Sequence, residues 1–220
     1  MNTLFARTAL ITALLFTAGC SSTYYNTLEK FGYAKREVLV DRVEKAQKSQ
    51  TEAKDQFASA LDRFLAVTKA DGGELQRKYD ALNTDFKRSE TRATEVRDRI
   101  ASVEDVAEAL FSEWKQELKQ YSNATLRSES QRQLDVTRRN YDNLLRLMHR
   151  ASERMDPVLN TFRDQVLYLK HNLNAQAIAS LDTTHRELQA DISRLIADME
   201  TSIRESESFI KTLQAAPAAK

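Results

Sequence analysis

Cysteine occurs once in the 220 residues, proline twice and glycine four times. A single cysteine excludes an internal disulfide framework and a zinc site built on paired thiolates. So little glycine and proline excludes all-β and doubly wound α/β folds, whose many turns depend on them. An excess of one charge is missing too, with 33 Lys and Arg against 32 Asp and Glu. Balanced, interspersed charge gives no field for gathering phosphate backbones, so nucleic acid is not an expected partner. The only histidines are His149, His171 and His185, and none belongs to an H-E-x-x-H pair. There is no G-x-x-x-x-G-K-S/T phosphate loop, no G-x-G-x-x-G fingerprint and no G-x-S-x-G elbow. Acidic neighbours such as Glu104 with Asp105, and Glu205 with Glu207, read as solvated helix faces, because catalytic acids need a partly dry pocket to separate their pKa values. No catalytic residue, metal ligand or cofactor is assigned, and the chain is not read as an enzyme.

What the sequence does have begins with an address. Thr8 to Ala18 is apolar or small throughout, preceded only by Arg7 as a charged residue. That run is shorter than the roughly 20 residues a membrane-spanning helix needs, and it fits the apolar region of a secretory signal peptide. It ends in Thr17-Ala18-Gly19-Cys20-Ser21, which resembles a bacterial lipobox: cleavage before Cys20, then lipidation of that cysteine. The usual Leu is replaced here by Thr17. Ser21 is similar to the pattern of lipoproteins passed on to the outer membrane. Acyl chains add about 0.8 kcal/mol per buried methylene, and two or more give stable anchoring. Loss of residues 1–19 removes Arg7 and no acid, so 33 basic residues become 32, equal to the 32 acidic ones.

The remainder is organised in heptads. In the first stretch, Val43, Gln50, Phe57 and Phe64 form one column and Ala46, Ala53, Ala60 and Val67 the other. Alternating steps of three and four place both columns on one seam. The alanines permit close approach of a second helix. Asp71-Gly72-Gly73 supplies the stop, since glycine readily takes the left-handed conformation at a helix C-terminus. In the second stretch, Tyr79, Phe86, Ala93, Ile100, Ala107, Trp114 and Tyr121 pair with Leu75, Leu82, Ser89, Val96, Val103 and Leu110. No glycine or proline interrupts Glu74 to Tyr121, about 70 Å of helix at 1.5 Å per residue. Two such helices joined by a tight turn fold back as an antiparallel hairpin.

After a polar break at Ser122 to Thr125, the third stretch carries Leu134, Tyr141, Met148, Met155, Phe162 and Leu169. The partner column is expected at Leu145, Leu159, Val166 and Leu173. Pro157 lies within it; Asp156-Pro157 suits a helix start, yet the phase continues, so a kink or very short break is expected. Past Leu173 the seam shifts through Ala177 and Leu181 by a stutter, then resumes at Leu188, Ile192, Leu195, Met199 and Leu213. Because the pattern reads as one continuous helix there, His171 and His185 are placed too far apart to share a metal. Gln50, Ser89 and Arg138 are polar residues on the seams, free to set register inside the bundle or to face a partner chain. The expected fold is all-α: an elongated antiparallel bundle of about four long segments. Residues 1–19 are read as a signal peptide, 20–36 as a membrane-proximal segment, 37–214 as the bundle and 215–220 as a tail.

The membrane-proximal segment holds Tyr24, Tyr25, Phe31 and Tyr33, four of the sixteen Phe and Tyr residues, with Lys30, Lys35 and Arg36 among them. Aromatic rings favour the headgroup level and cations pair with lipid phosphates. Tyr24, Tyr25, Phe31, Lys35 and Arg36 are therefore candidate membrane contacts beside the lipidation site Cys20, although Phe31 and Tyr33 could instead cap the bundle. The terminal Lys220 completes a plan of lipid, helix and C-terminal lysine similar to that of murein lipoprotein; a solubilising tail is the simpler reading.

Tyr24-Tyr25, Glu29-Lys30, Gly32, Lys35-Arg36, Leu39 to Val43, Gln50, Ala53-Lys54, Gln56-Phe57 and Ala60-Leu61 together resemble a gammaproteobacterial envelope lipoprotein family classed as a domain of unknown function. The resemblance implies a helical envelope lipoprotein and carries over no activity, cofactor or catalytic residue. The expected function is a structural or protein-interaction role on the periplasmic face of the outer membrane. Its partners would be membrane lipid through acylated Cys20, and an envelope protein or a second copy of the chain. A regulatory binding module for a cell-wall enzyme is the competing class. A cytoplasmic coiled coil follows if the signal peptide is false.

Overall fold

A computed structural model describes residues 35–68, 74–172 and 175–215, with side chains for all of these but 68 and 175–184. Five helices occur among them: α1 (Lys35–Thr68), α2 (Leu75–Glu117), α3 (Ala124–Glu153), α4 (Met155–His171) and α5 (Ala175–Ala215). The fold is all-α, an antiparallel bundle in which α3 and α4 act as one interrupted segment. At 1.5 Å per residue, the 34 residues of α1 span about 51 Å and the 43 of α2 about 65 Å.

The α1 and α2 seams pack as their heptads dictate. Val43, Ala46, Ala53, Phe57, Ala60, Phe64 and Val67 are buried against Leu75, Leu82, Phe86, Ala93, Val96, Ile100, Val103 and Ala107. Cross-helix polar pairs give the direction. Lys35 Nζ lies 2.8 Å from Glu113, Arg92 lies 2.7 Å from Glu52, and Gln56 donates to the Asp85 carbonyl at 3.3 Å. Early α1 therefore meets late α2. The α1–α2 interface is the most extensive in the bundle. The Gly72-Gly73 turn expected to join them lies outside the described residues.

The third segment runs antiparallel to α2. His149 Nε2 is 2.9 Å from Glu104, Arg97 bonds Asp156, and Arg163 is 2.9 Å from Glu90. The break near Pro157 is one residue, Arg154, whose φ of −72° and ψ of −14° keep it helical in conformation. Pro157 falls in the first turn of α4, where its missing N–H is no loss. Leu134, Tyr141, Met148, Met155, Phe162 and Leu169 are buried as expected. In the partner column, Leu159 and Val166 beyond the break are buried as expected, with Val158 buried beside Leu159; before the break the column is Thr137, Leu144 and Ala151, and Leu145 is only half-buried. The one-residue change of phase accompanies the interruption at Arg154. Arg138 leaves the seam altogether: it is exposed, its guanidinium 4.9 Å from the Phe111 ring centroid, and Thr137 takes the interior place.

The stutter expected after Leu173 is a chain reversal. α5 runs back antiparallel to α3, with Arg150 at 3.2 Å from Asp198 and Arg154 bonded to the same carboxylate. It is also antiparallel to α1, through Gln47 with Glu207 at 3.1 Å and Lys54 with Glu200 at 3.5 Å. α4 closes at Asn172, whose amide donates to the Tyr168 carbonyl at 3.0 Å. The side chains of Ala177 and Leu181 and all of Leu173 lie outside the described residues. Described α5 contributes Leu188, Ile192, Leu195, Met199, Ser202, Ser206, Phe209 and Leu213 to the core.

The alanine column of α1 is the tightest part of this packing, because Ala46, Ala53 and Ala60 are at most 1% exposed. Ala53→Leu adds apolar volume and is expected to destabilise the bundle by about 1–3 kcal/mol in urea titrations, since the added methylenes have nowhere to go. Ser59→Leu, on the exposed face of α1, should stay within about 0.5 kcal/mol of the parent.

Candidate functional site

One end of the bundle gathers the start of α1, the end of α2, the start of α3 and the end of α5. Two cations at the start of α1 tie it together. Lys35 is 6% exposed and its Nζ sits 2.8 Å from Glu113 of α2. Arg36 donates to the Leu213 carbonyl of α5, one of the acceptors that a helix C-terminus leaves unsatisfied. Partial burial lowers the Arg36 pKa from its ordinary value. Both side chains therefore engage neighbouring helices, a use that the pairing with lipid phosphates expected of them did not foresee. Cys20, Tyr24, Tyr25 and Phe31 lie outside the described residues, as do Tyr33 and Lys220.

Below these ties sits an aromatic cluster. Phe111 and Tyr141 meet edge to face with centroids 5.4 Å apart, and Phe209 lies 6.3 Å from Tyr141. Three helices thus contribute one ring each, and Arg138 covers the outside, 5.7 Å from the Tyr141 centroid. Aromatic pairs of this kind add about 0.5–1.5 kcal/mol beyond area burial. Burial pushes the Tyr141 phenol up to about 12, with the Glu104 carboxylate adding to the shift. The outer rim is the α2–α3 turn. Asn123 Oδ1 accepts from the Thr125 and Leu126 amides at 2.9 and 3.1 Å, an N-cap for α3. The Trp114 indole N–H donates to Ser130 Oγ at 2.8 Å. No residue from 124 to 133 is fully buried, and Leu126 is 51% exposed.

The opposite end carries the end of α1, the start of α2, the end of α4 and the start of α5, and there Leu167 and Tyr168 are exposed. Elsewhere, Arg146, His149, Arg150 and Glu153 line a shallow, open depression on α3. His149 and Glu104 form an exposed pair across α2 and α3. His171 ends α4 and His185 belongs to α5, so a helix break does separate them, against the continuous helix expected there. Among the described residues no three His, Cys, Asp or Glu side chains are grouped to hold a metal ion. No described helix is long and apolar enough to cross a membrane.

Sequence reasoning found Lys35 and Arg36 but not their partners Glu113 and the Leu213 carbonyl, nor the Phe111–Tyr141–Phe209 cluster. The signal for the cluster was one aromatic near the same end of each of three heptad stretches, legible once the helix directions are known.

These features define an antiparallel helical bundle with one end built from both of its outermost helices. The chain belongs to the family described as "protein of unknown function (DUF2959)", whose sequence model matches residues 24–213. No curated protein and no solved structure matches it.

The Tyr141 shift has a pH consequence. An unfolded phenol loses its proton near 10 and the folded one at about 12, so between these values the unfolded state holds fewer protons. Stability present below pH 10 is therefore lost as pH rises through that window. The thermal midpoint should fall between pH 10 and 12, and Tyr141→Phe should reduce the slope; an unchanged slope contradicts the assignment.

Proposed function

We propose that the chain is a lipid-anchored protein of the bacterial envelope, held through acylated Cys20 and acting by protein interaction, without catalysis. The observation that carries this reading is the coincidence of the lipobox-like Thr17-Ala18-Gly19-Cys20 with the geometry of the bundle. α1 opens at Lys35 beside the end of α5, so an anchor at Cys20 grips the bundle at one end. The fifteen residues from Cys20 to Lys35 reach at most about 50 Å. The helices then carry the far end a further 50–65 Å or so. Tyr24, Tyr25 and Phe31 lie on the tether in this reading, at headgroup level, while Lys35 and Arg36 fasten the tether to the bundle.

Ser21 supports the periplasmic face of the outer membrane as the location. The bundle's surface supports an interaction role: its ion pairs are mostly exposed, each worth little to stability. A partner would meet the outer faces or the far end, where Leu167 and Tyr168 are exposed.

Metabolic labelling with a palmitate analogue tests the reading. The intact chain should be labelled, Cys20→Ser should not, and globomycin should leave a longer precursor that keeps residues 1–19. An unlabelled chain still carrying Met1 in the cytosol would overturn it and favour the cytoplasmic coiled coil.

A further inference from the structure

The heptad columns of α1 are apolar at Leu39, Val43, Ala46, Ala53, Phe57, Ala60, Phe64 and Val67, and polar at Gln50; of the other buried polar residues of α1, Lys35 pairs with Glu113 of α2 and Ser49 lies beside the columns at 7% exposure. The described seam of α5 is apolar at Leu188, Ile192, Leu195, Met199, Phe209 and Leu213, and polar at two consecutive places, Ser202 and Ser206. Gln50, Ser202 and Ser206 are all 0% exposed. The two polar stretches meet. Gln47 bonds Glu207 and Lys54 pairs with Glu200, so counting three residues inward from the first pair sets Gln50 opposite position 204, between Ser202 and Ser206. Among the described residues neither amide atom of Gln50 has a hydrogen-bond partner, nor does Ser202 Oγ; the Ser206 hydroxyl donates back to the Ser202 carbonyl at 2.9 Å.

The other described seam layers of this interface are apolar on both sides. A slip of α5 by one heptad, about 10.5 Å at 1.5 Å per residue, would set apolar residues against apolar positions in those layers. Within the buried seam the mismatch would fall on the polar layer, where Gln50 would meet Leu195 and Met199 in one direction, Phe209 and Leu213 in the other. In either slipped state a buried primary amide would face hydrocarbon, and the two serines would do the same on α1. We infer that Gln50, Ser202 and Ser206 form a polar key that fixes the register of α5 on α1, its open bonding positions satisfied by water shared within the layer. A buried polar side chain on a seam is an established way to specify register at some cost in stability. Ser89, the polar seam residue of α2, does not take part, because it belongs to α2 and not to the α1–α5 interface. The key matters because sliding α5 would unmake the Arg36–Leu213 tie and separate the helix ends that α1 and α5 bring together.

Disulfide trapping in a Cys20→Ser background reads the register directly. Gln47→Cys with Glu207→Cys reports the native register; Gln47→Cys with Glu200→Cys, or with Gln214→Cys, reports a slip of one heptad. Disulfides demand close approach, so each pair is selective. In the otherwise unaltered chain only the native pair should oxidise. Adding Gln50→Leu should raise the thermal midpoint and increase the yield of a slipped pair relative to the native pair by about tenfold or more. Ser202→Ala with Ser206→Ala should have the same effect on the ratio from the other side, and Gln50→Asn should keep the native pattern. Exclusive native trapping in Gln50→Leu and in the double serine variant would overturn the inference.

Discussion

The bundle depends on one constraint: a small-residue column on α1 that lets α2 approach along its whole length. Ala46, Ala53 and Ala60 leave room for Phe86, Val96 and Ile100, and the resulting interface exceeds any other in the structure. Once that hairpin is set, its remaining apolar edge has to be covered. The third segment and α5 do so because they carry the same seven-residue repeat. Cross-helix pairs such as Arg92 with Glu52 and Arg150 with Asp198 are partly exposed and add little stability. The up-and-down order brings the start of α1 and the end of α5 to one end of the bundle.

Much of this was legible in the residues. Steps of three and four located the two buried columns of α1 from Val43 to Val67 and most of those of α2, because no glycine or proline disturbs the phase there; they left out Val38, Leu39 and Ser49 on α1 and Asp85, Val106 and Phe111 on α2. The third segment was less legible. A one-residue interruption at Arg154 moves the partner column from Leu144 and Ala151 to Leu159 and Val166, and a fixed heptad count placed it on Leu145. Arg138 falls one position off the interior for the same reason. The reversal after His171 was hidden because no glycine or proline marks it in the sequence and the apolar pattern resumes soon after it. Helix periodicity reports which face is buried; it does not report whether the chain has turned round.

The proposed anchor rests on local features, the lipobox-like run and the aromatic residues after it, which lie outside the described residues. The ties of Lys35 to Glu113 and of Arg36 to the Leu213 carbonyl join residues 78 and 177 positions apart, and no local pattern announces them. The same holds for Gln50: its place on the seam could be read, but whether it faced a partner chain or the bundle interior depended on where α5 lies. Family membership agrees with the helical reading and leaves the role of the bundle to be argued from its form.

With the proposed anchor at Cys20, that form would be a rod gripped at one end. A polarity-sensitive fluorophore on Glu37→Cys or on Gln76→Cys, both exposed positions at opposite ends of the bundle, measures it directly. The probe is attached before the acylated protein is placed on vesicles containing brominated lipid. The account predicts strong quenching at 37 and none at 76; equal quenching at both positions, or quenching only at 76, would contradict it.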